Sequence, residues 1–546
     1  MQKKQTILVV ASLLVVVLSV TLAYFTAQII GKGKNVTINS ADLKIIFTDS
    51  DGSISGSNIE PGKWNVTKTF TIENKSNETY KYNIVIQDLV NTFVTEGYLQ
   101  YKITSTNGGY NMTEFKDVPK SSAPKDTILA YSVSIPVGLT QSYTIEFKYV
   151  NDESVDQSED MGKTLSGILF ITEGTEQPTL LSQILNDNPT RDTRNTYNAV
   201  FTNNTTGTLF TATEKNVHNT IDTTVYYYAG NTTNNWVKFG KFQNDLIRYR
   251  GSGITALYGE YSTMDECTSV YSKCTEYKYA NTGDDIYWRI IRTNSDGSVR
   301  LLYAGTSPDT TTGCIGKSAF NTSENSPKYV GYMYGENADT LVNAKTNTNN
   351  STIKTYIDNW YASNMTSYTK YLSTTAVYCN DRTEKTSGTY NTGSTDFYYA
   401  PNARLYTNKT PSYDCTEASD AFSGSNTSAK LTYPIALMTV DEIMRAGGTS
   451  SNNLTSPYAW YYLNSSGESI TGASSSWLLS PRGWYDSHAN AFSVMGSPGP
   501  GALNYNDLSF ILAVRPAISL KSCIKYGIGD GSATNPYTIL ETESGC

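Results

Sequence analysis

From residue 36 to residue 173 apolar and polar positions alternate with a period of two. Phe70 and Ile72 mark one run, Tyr80, Tyr82, Ile84 and Ile86 the next, and Leu99, Tyr101 and Ile103 another. Tyr131, Val133 and Ile135 repeat the pattern, as do Tyr143, Ile145, Phe147 and Tyr149. Successive strand side chains point to opposite faces, so each run has one apolar face, which two sheets packed face to face require. Pro61-Gly62 and Asn107-Gly108-Gly109 supply turns between runs. The spacing predicts an all-β sandwich over 36–173.

Past Gly174 the pattern changes. Pro178 opens a short helical run in which Leu180, Leu181, Ile184 and Leu185 share a face. Residues 186–222 are polar and Asn/Thr-rich, so 174–223 reads as a helix and a polar linker. A second domain, α+β, is expected over 224–521. Its first signal is a hairpin, Ile286–Thr293 and Ser298–Ala304 around Asn294-Ser-Asp-Gly297. Ile353, Tyr356, Ile357 and Trp360 follow Ser351 at helical spacing, with the serine placed to cap. Thr439 and Glu442 form a capping-box pattern, and Gly447-Gly448 ends that helix. Trp477–Pro481, Phe492–Met495 and Leu512–Leu520 read as closing strands, and 522–546 as a disulfide-stapled tail that forms a terminal strand pair.

Residues 1–31 have a different character. Lys3 and Lys4 precede an uncharged stretch whose apolar body is Ile7–Leu22. Cleavage after Ala23 would make it a signal peptide. Uncut, residues 7–30 form a helix of about 36 Å, enough to cross a hydrocarbon core of about 30 Å and to anchor the chain in the membrane. Both readings stay open; Lys32 and Lys34 at the far end leave the orientation of an uncut span undecided by charge, and the cysteines and the lack of another span favour the bulk of the chain on the extracellular side of the cell membrane or secreted to the cell surface. No Leu-Pro-x-Thr-Gly sorting motif is present, so sortase attachment is not expected.

Composition then narrows the function. Lys+Arg number 42 against 50 Asp+Glu, a net charge of −8, so a nucleic-acid partner is set aside. Only 17% of residues are charged while tyrosine reaches 42 copies, which implies a surface of uncharged polar groups and phenol rings. The seven cysteines contain no C-x-x-C pair and the two histidines are His218 and His488, so neither a metal nor another cofactor is expected. Disulfides fit better. Proximity suggests Cys267–Cys274, Cys379–Cys415 and Cys523–Cys546, with Cys314 left over, although spacing alone does not determine the pairing.

Two resemblances add to this reading. The segments TLAYFT at Thr21–Thr26, VTINSADL at Val36–Leu43, IEPG at Ile59–Gly62 and TKTFTIEN at Thr67–Asn74 resemble the start of TasA/camelysin-type exported proteins of Gram-positive bacteria. The resemblance covers about residues 1–173 and implies an exported β-sandwich cut between Ala23 and Tyr24. The second unit carries YWRI at Tyr287–Ile290, IGKSAF at Ile315–Phe320, YVGYMYG at Tyr329–Gly335 and VRP at Val514–Pro516. These are similar to surface proteins of gut Gram-positive bacteria, and the closing pattern looks like the C-type-lectin/formylglycine-generating-enzyme group. That resemblance implies a compact α+β head whose irregular last third forms an exposed face.

No catalytic constellation stands out. His218 falls in the polar stretch, and His488 beside Asp486 and Ser487 is a loop sequence rather than a triad. Gly496–Gly501 lacks the lysine of a phosphate loop. An enzyme is therefore not expected. The segment Pro481–Asp507 instead concentrates Arg482, Trp484, Tyr485, His488, Asn504, Tyr505 and Asp507, the residue types that recognition surfaces use. The expectation is a bacterial cell-surface, adhesin-like protein that presents a C-type-lectin-like head on a β-sandwich stalk and binds a glycan or protein ligand. The alternative is a structural matrix or fibre subunit of the TasA type, acting by self-assembly.

Overall fold

The computed structural model describes residues 35–40, 43–49, 53–56, 61–95, 97–251, 260–385, 388–450, 458–497 and 499–546, with side chains from residue 61 onward. The expected signal peptide or anchor at 1–31 lies outside the described residues. No helix among the described residues is long and apolar enough to cross a membrane. The chain is mostly β and divides into two units, Met1–Gln177 and Pro178–Cys546.

The first unit is built as the alternation predicts. Antiparallel strands Asn35–Ser40, Leu43–Asp49, Asn65–Asn74, Thr140–Tyr149, Leu99–Ser105 and Lys116–Asp117 form one sheet, in that spatial order. Ser53–Gly56, Leu165–Glu173, Tyr80–Asn91 and Ser121–Ile135 form another. Phe70, Ile72, Tyr143, Ile145 and Phe147 from the first meet Tyr82, Ile84, Ile86, Leu169 and Ile171 from the second in one core. Several core residues are tyrosines, and their hydroxyls have partners inside. Tyr82 Oη donates to Gln141 Oε1 at 2.5 Å and also contacts Tyr143 Oη, which accepts the Tyr110 amide at 3.0 Å. Tyr149 Oη donates to Asp160 at 2.8 Å, and Asp160 also accepts the amides of Val94 and Thr95 at 2.6 and 3.2 Å. Burial opposes the Asp160 charge, but these donors outweigh it and hold the carboxyl below its usual range.

The second unit begins earlier than the expected 224. Pro178 precedes the helix Leu180–Asp187, whose Leu180 and Ile184 are buried in the main core. The stretch expected as a linker, within 174–223, contributes Thr190–Thr193 and Thr208–Glu214 to a ten-stranded sheet. Only a few apolar anchors hold it, Tyr197, Leu209 and Phe210, while buried Asn188, Glu214 and Asn216 are held by hydrogen bonds. A segment fixed mainly by polar contacts has no apolar period to detect. The terminal strand pair expected in the tail is present as Tyr526–Ile528 and Tyr537–Ile539, and it extends the same sheet alongside Trp236–Lys241.

The centre of that sheet is the hairpin Asp285–Thr293 and Val299–Gly305, buried almost end to end. Two of its arginines, Arg292 and Arg300, are neutralised inside. Arg292 pairs with Glu214 at 3.0 Å and Glu442 at 2.9 Å, and Arg300 with Glu442 at 2.6 Å. Glu442 is also the capping-box residue of helix Val440–Ala446, returning to the Thr439 amide at 2.9 Å, and Gly447 ends that helix at φ 121°. Ser351 caps helix Thr352–Asn364, which buries Ile353, Ile357 and Trp360. The disulfides are Cys267–Cys274, Cys379–Cys415 and Cys523–Cys546. Cys314 is unpaired and buried, and burial, followed by the charge of Glu260, pushes its thiol up to about 11.

Candidate functional site

The expected recognition segment folds into a second sheet of the same unit. Ser476–Tyr485, His488–Val494 and Leu503–Asp507 are consecutive antiparallel strands, and Phe397–Tyr398 pairs with the end of the first. Asp486 and Ser487 both take left-handed φ, 49° and 62°, which makes a two-residue turn whose twist suits the hairpin. Gly483 lets Phe397 approach: a Cβ there would lie 2.4 Å from the Phe397 carbonyl oxygen.

Pairing places Tyr485 opposite His488, Asn490 opposite Asp507 and Phe492 opposite Tyr505. Arg482 lies among them. Its guanidinium carbon is 3.5 Å from the centroid of the Tyr505 ring, 4.8 Å from that of Tyr485 and 4.9 Å from that of Tyr398. One Nη donates to Asn490 Oδ1 at 3.0 Å, and Asn490 in turn donates to Asp507. Arg482 Nε is buried without an acceptor, and no carboxylate lies at ion-pair distance from the group among the described residues. Burial, and then the charge of Glu324, pushes the Asp507 carboxyl upward. Tyr485 is 40% exposed and Tyr505 half-buried, so the rings that hold the cation also face solvent.

The structure brings Arg482, Tyr485, His488, Tyr505 and Asp507 together. Asn504 lies on the same strand opposite Ser493, out of register with the Tyr505–Phe492 pair, and is half-buried. Trp484 is a correction. It is 3% exposed, part of the main core, and its indole N–H donates to the Gly393 carbonyl at 2.6 Å, so it packs the sheet rather than presenting a contact. A register shift between Pro481 and Gly483 breaks the simple alternation that would otherwise tell inward from outward. Tyr398, which sequence reasoning passed over, joins the site because its strand pairs with Gly483.

His488 Nδ1 meets the Asp486 carbonyl at 2.7 Å, and its Nε2 is 3.9 Å from Glu324. His218 Nε2 lies 2.8 Å from Oγ of the buried Ser423 and 3.2 Å from Oγ of the exposed Ser425. No group of three or more potential metal ligands occurs among the described residues.

A second feature escaped the sequence reading. A cleft of about 830 Å³ opens between Asn231–Asn234, Tyr458–Gly467 and Asp530–Thr534, with Arg289, Trp236 and Trp460 in its lining. Arg289 was visible only as the arginine of the YWRI motif. Its strand is buried on both faces, so no alternation distinguishes it from its neighbours.

No family model matches the chain, and no curated protein matches it. Among solved structures, it aligns with the class 5 fimbriae chaperone CfaA at 13% identity, over 44% of this chain and 90% of that one, with a TM-score of 0.08. A chaperone–tip adhesin complex of CFA/I fimbriae aligns with the same identity, coverage and TM-score. Likeness at this level carries no argument.

Proposed function

We propose that this chain is an extracellular recognition protein. Its second unit is read as a C-type-lectin-like head, and its binding face as the tyrosine cluster around Arg482. The observation that carries the reading is a cation held by three phenol rings, without a carboxylate, on a sheet face where Tyr485 and Tyr505 meet solvent. Rigid aromatic contacts around a positioned guanidinium give affinity at small entropic cost. The three disulfides of that unit support an oxidising compartment. The surface location further relies on the apolar segment 7–30, as signal or membrane anchor. The face binds a glycan or protein ligand and performs no chemical step.

The test uses the full chain on glycan and protein arrays, with Tyr485→Ala/Tyr505→Ala beside wild type. Binding to the authentic ligand should fall by about 30-fold or more, the loss of about 2 kcal/mol expected when central aromatic contacts are removed. Undiminished binding of every array ligand by the double variant would refute the assignment. Protease added to intact cells should remove the second unit, and its protection until lysis would refute the location.

A further inference from the structure

We propose that the cleft over Arg289 is a second binding site, which takes a saccharide bearing a carboxylate and holds that carboxylate on the Arg289 guanidinium. Arg289 is 2% exposed and stands in the middle of the strand Asp285–Thr293. Its guanidinium carbon is 4.2 Å from the ring centroid of Trp236 and 5.9 Å from that of Trp460. Nε donates to Asn235 Oδ1 at 2.7 Å and one Nη to the Thr232 carbonyl at 2.8 Å. The other Nη has no acceptor among the described residues, and no carboxylate lies at ion-pair distance.

Four other arginines of the unit differ. Arg292, Arg300, Arg382 and Arg404 each meet Asp or Glu. Arg515 lacks a carboxylate as well, but it gives three nitrogens to the carbonyls of Tyr303 and Tyr461. Arg289 alone of these lines a cleft large enough for a ligand. Burial, with Arg515 nearby, lowers it to about 9, so its charge carries a cost that no protein carboxylate at ion-pair distance offsets. An incoming carboxylate would supply the counter-charge, and a planar guanidinium suits it.

The rest of the cleft selects the class. Asn231 and Thr233 are an exposed amide and hydroxyl at its walls, suited to sugar hydroxyls, beside the exposed Ser465 and Ser466, whose hydroxyls donate to Asp309 and keep lone pairs to accept. The half-exposed Tyr458 ring offers a surface to the apolar face of a pyranose. Trp236 Nε1, which has no acceptor among the described residues, is a further donor. Asp187 and Asp530 also line the cleft and disfavour a polyanion such as a nucleotide or polyphosphate. One negative charge among neutral hydroxyls satisfies both conditions. The volume is in the range of small-ligand sites and accommodates a short oligosaccharide.

Calorimetric titration of the full chain with the methyl glycoside of galacturonate and with its methyl ester separates charge from shape, and sialyllactose against lactose repeats the comparison for the other common acidic sugar. At least one acid should bind about tenfold more tightly than its neutral counterpart. Arg289→Gln should abolish that preference. Ser466→Trp, at an exposed position of the wall, should weaken the acid by about tenfold or more without touching the core, so the site remains testable if the buried variant does not fold. Equal affinity for acid and neutral partner in wild type would overturn the proposal. So would the absence of binding by either acid at about 10 mM, or acid binding unchanged by Ser466→Trp. These outcomes leave the tyrosine face around Arg482 untouched, because its residues are not part of the cleft.

Discussion

Two regions of the second unit handle buried arginine in opposite ways. Behind the hairpin Asp285–Thr293 and Val299–Gly305, Arg292 and Arg300 converge on one carboxylate, Glu442, with Glu214 alongside. On the sheet that ends at Asp507, Arg482 is surrounded by Tyr398, Tyr485 and Tyr505 and has no acidic neighbour at ion-pair distance. The first arrangement is closed: Arg292 and Arg300 are 3% and 1% exposed, and the carboxyl of Glu442 is held down by both, against its burial. The second keeps one side of its rings in solvent and leaves Arg482 Nε unmatched. Ion pairing between protein groups consumes a cation, whereas ring stacking positions one and leaves its field available to a ligand. The difference separates arginines that hold the fold from arginines placed for recognition.

The comparison can be broken by mutation. The largest effect is expected from Glu442→Gln, which leaves two buried guanidinium groups without their shared charge and should cost about 3–5 kcal/mol in denaturant unfolding. A cost below about 1 kcal/mol would show that the cluster is not the unit's electrostatic anchor. The first unit offers a buried charge of the opposite sign, satisfied by neutral donors. Asp160→Asn should cost about 2 kcal/mol at neutral pH. Because the native Asp160 carboxyl titrates below its unfolded value, its contribution is complete above the ordinary carboxyl range and lost as pH falls through the native value. The gap between wild type and Asp160→Asn should therefore close on acidification, and a gap independent of pH would rule out the carboxylate as its source. Arg482→Met should cost only about 1 kcal/mol, since one hydrogen bond and ring contacts are lost while a buried charge is relieved. A loss as large as that of Glu442→Gln would make Arg482 structural and remove the contrast. The smallest change is expected from Ser487→Gly, which relieves a left-handed residue in the hairpin turn and should raise stability by less than about 1 kcal/mol.

The sandwich of the first unit could be read from the sequence because its strands bury one face each: Phe70, Ile72, Tyr143, Ile145 and Phe147 are inside, as their spacing requires. The capping box at Thr439–Glu442 and the Ser351 cap were equally readable, since a cap is a local pattern with a local partner. Disulfide pairing by proximity also matches the bridges present. Where a strand is buried on both faces, the signal vanishes, and Arg289 was overlooked for that reason. Where polar groups do the anchoring, as at Asn188 and Asn216, a structural segment looks like a linker. Trp484 was assigned to the surface because one displaced residue in its strand inverts the expected side.

The odd number of cysteines has a consequence for how the molecule comes together. While the chain is open, seven thiols compete, and nothing in their spacing prevents Cys314 from taking a partner that belongs to another. Once Ile315 and Gly316 bond to Val514, the sulfur is enclosed and kept protonated by its surroundings. Sheet closure is thus the step that withdraws one competitor, so correct cross-linking depends on folding running ahead of oxidation around residue 314. Cys314→Ser would relax that ordering, and refolding under strong oxidant would then yield fewer scrambled species.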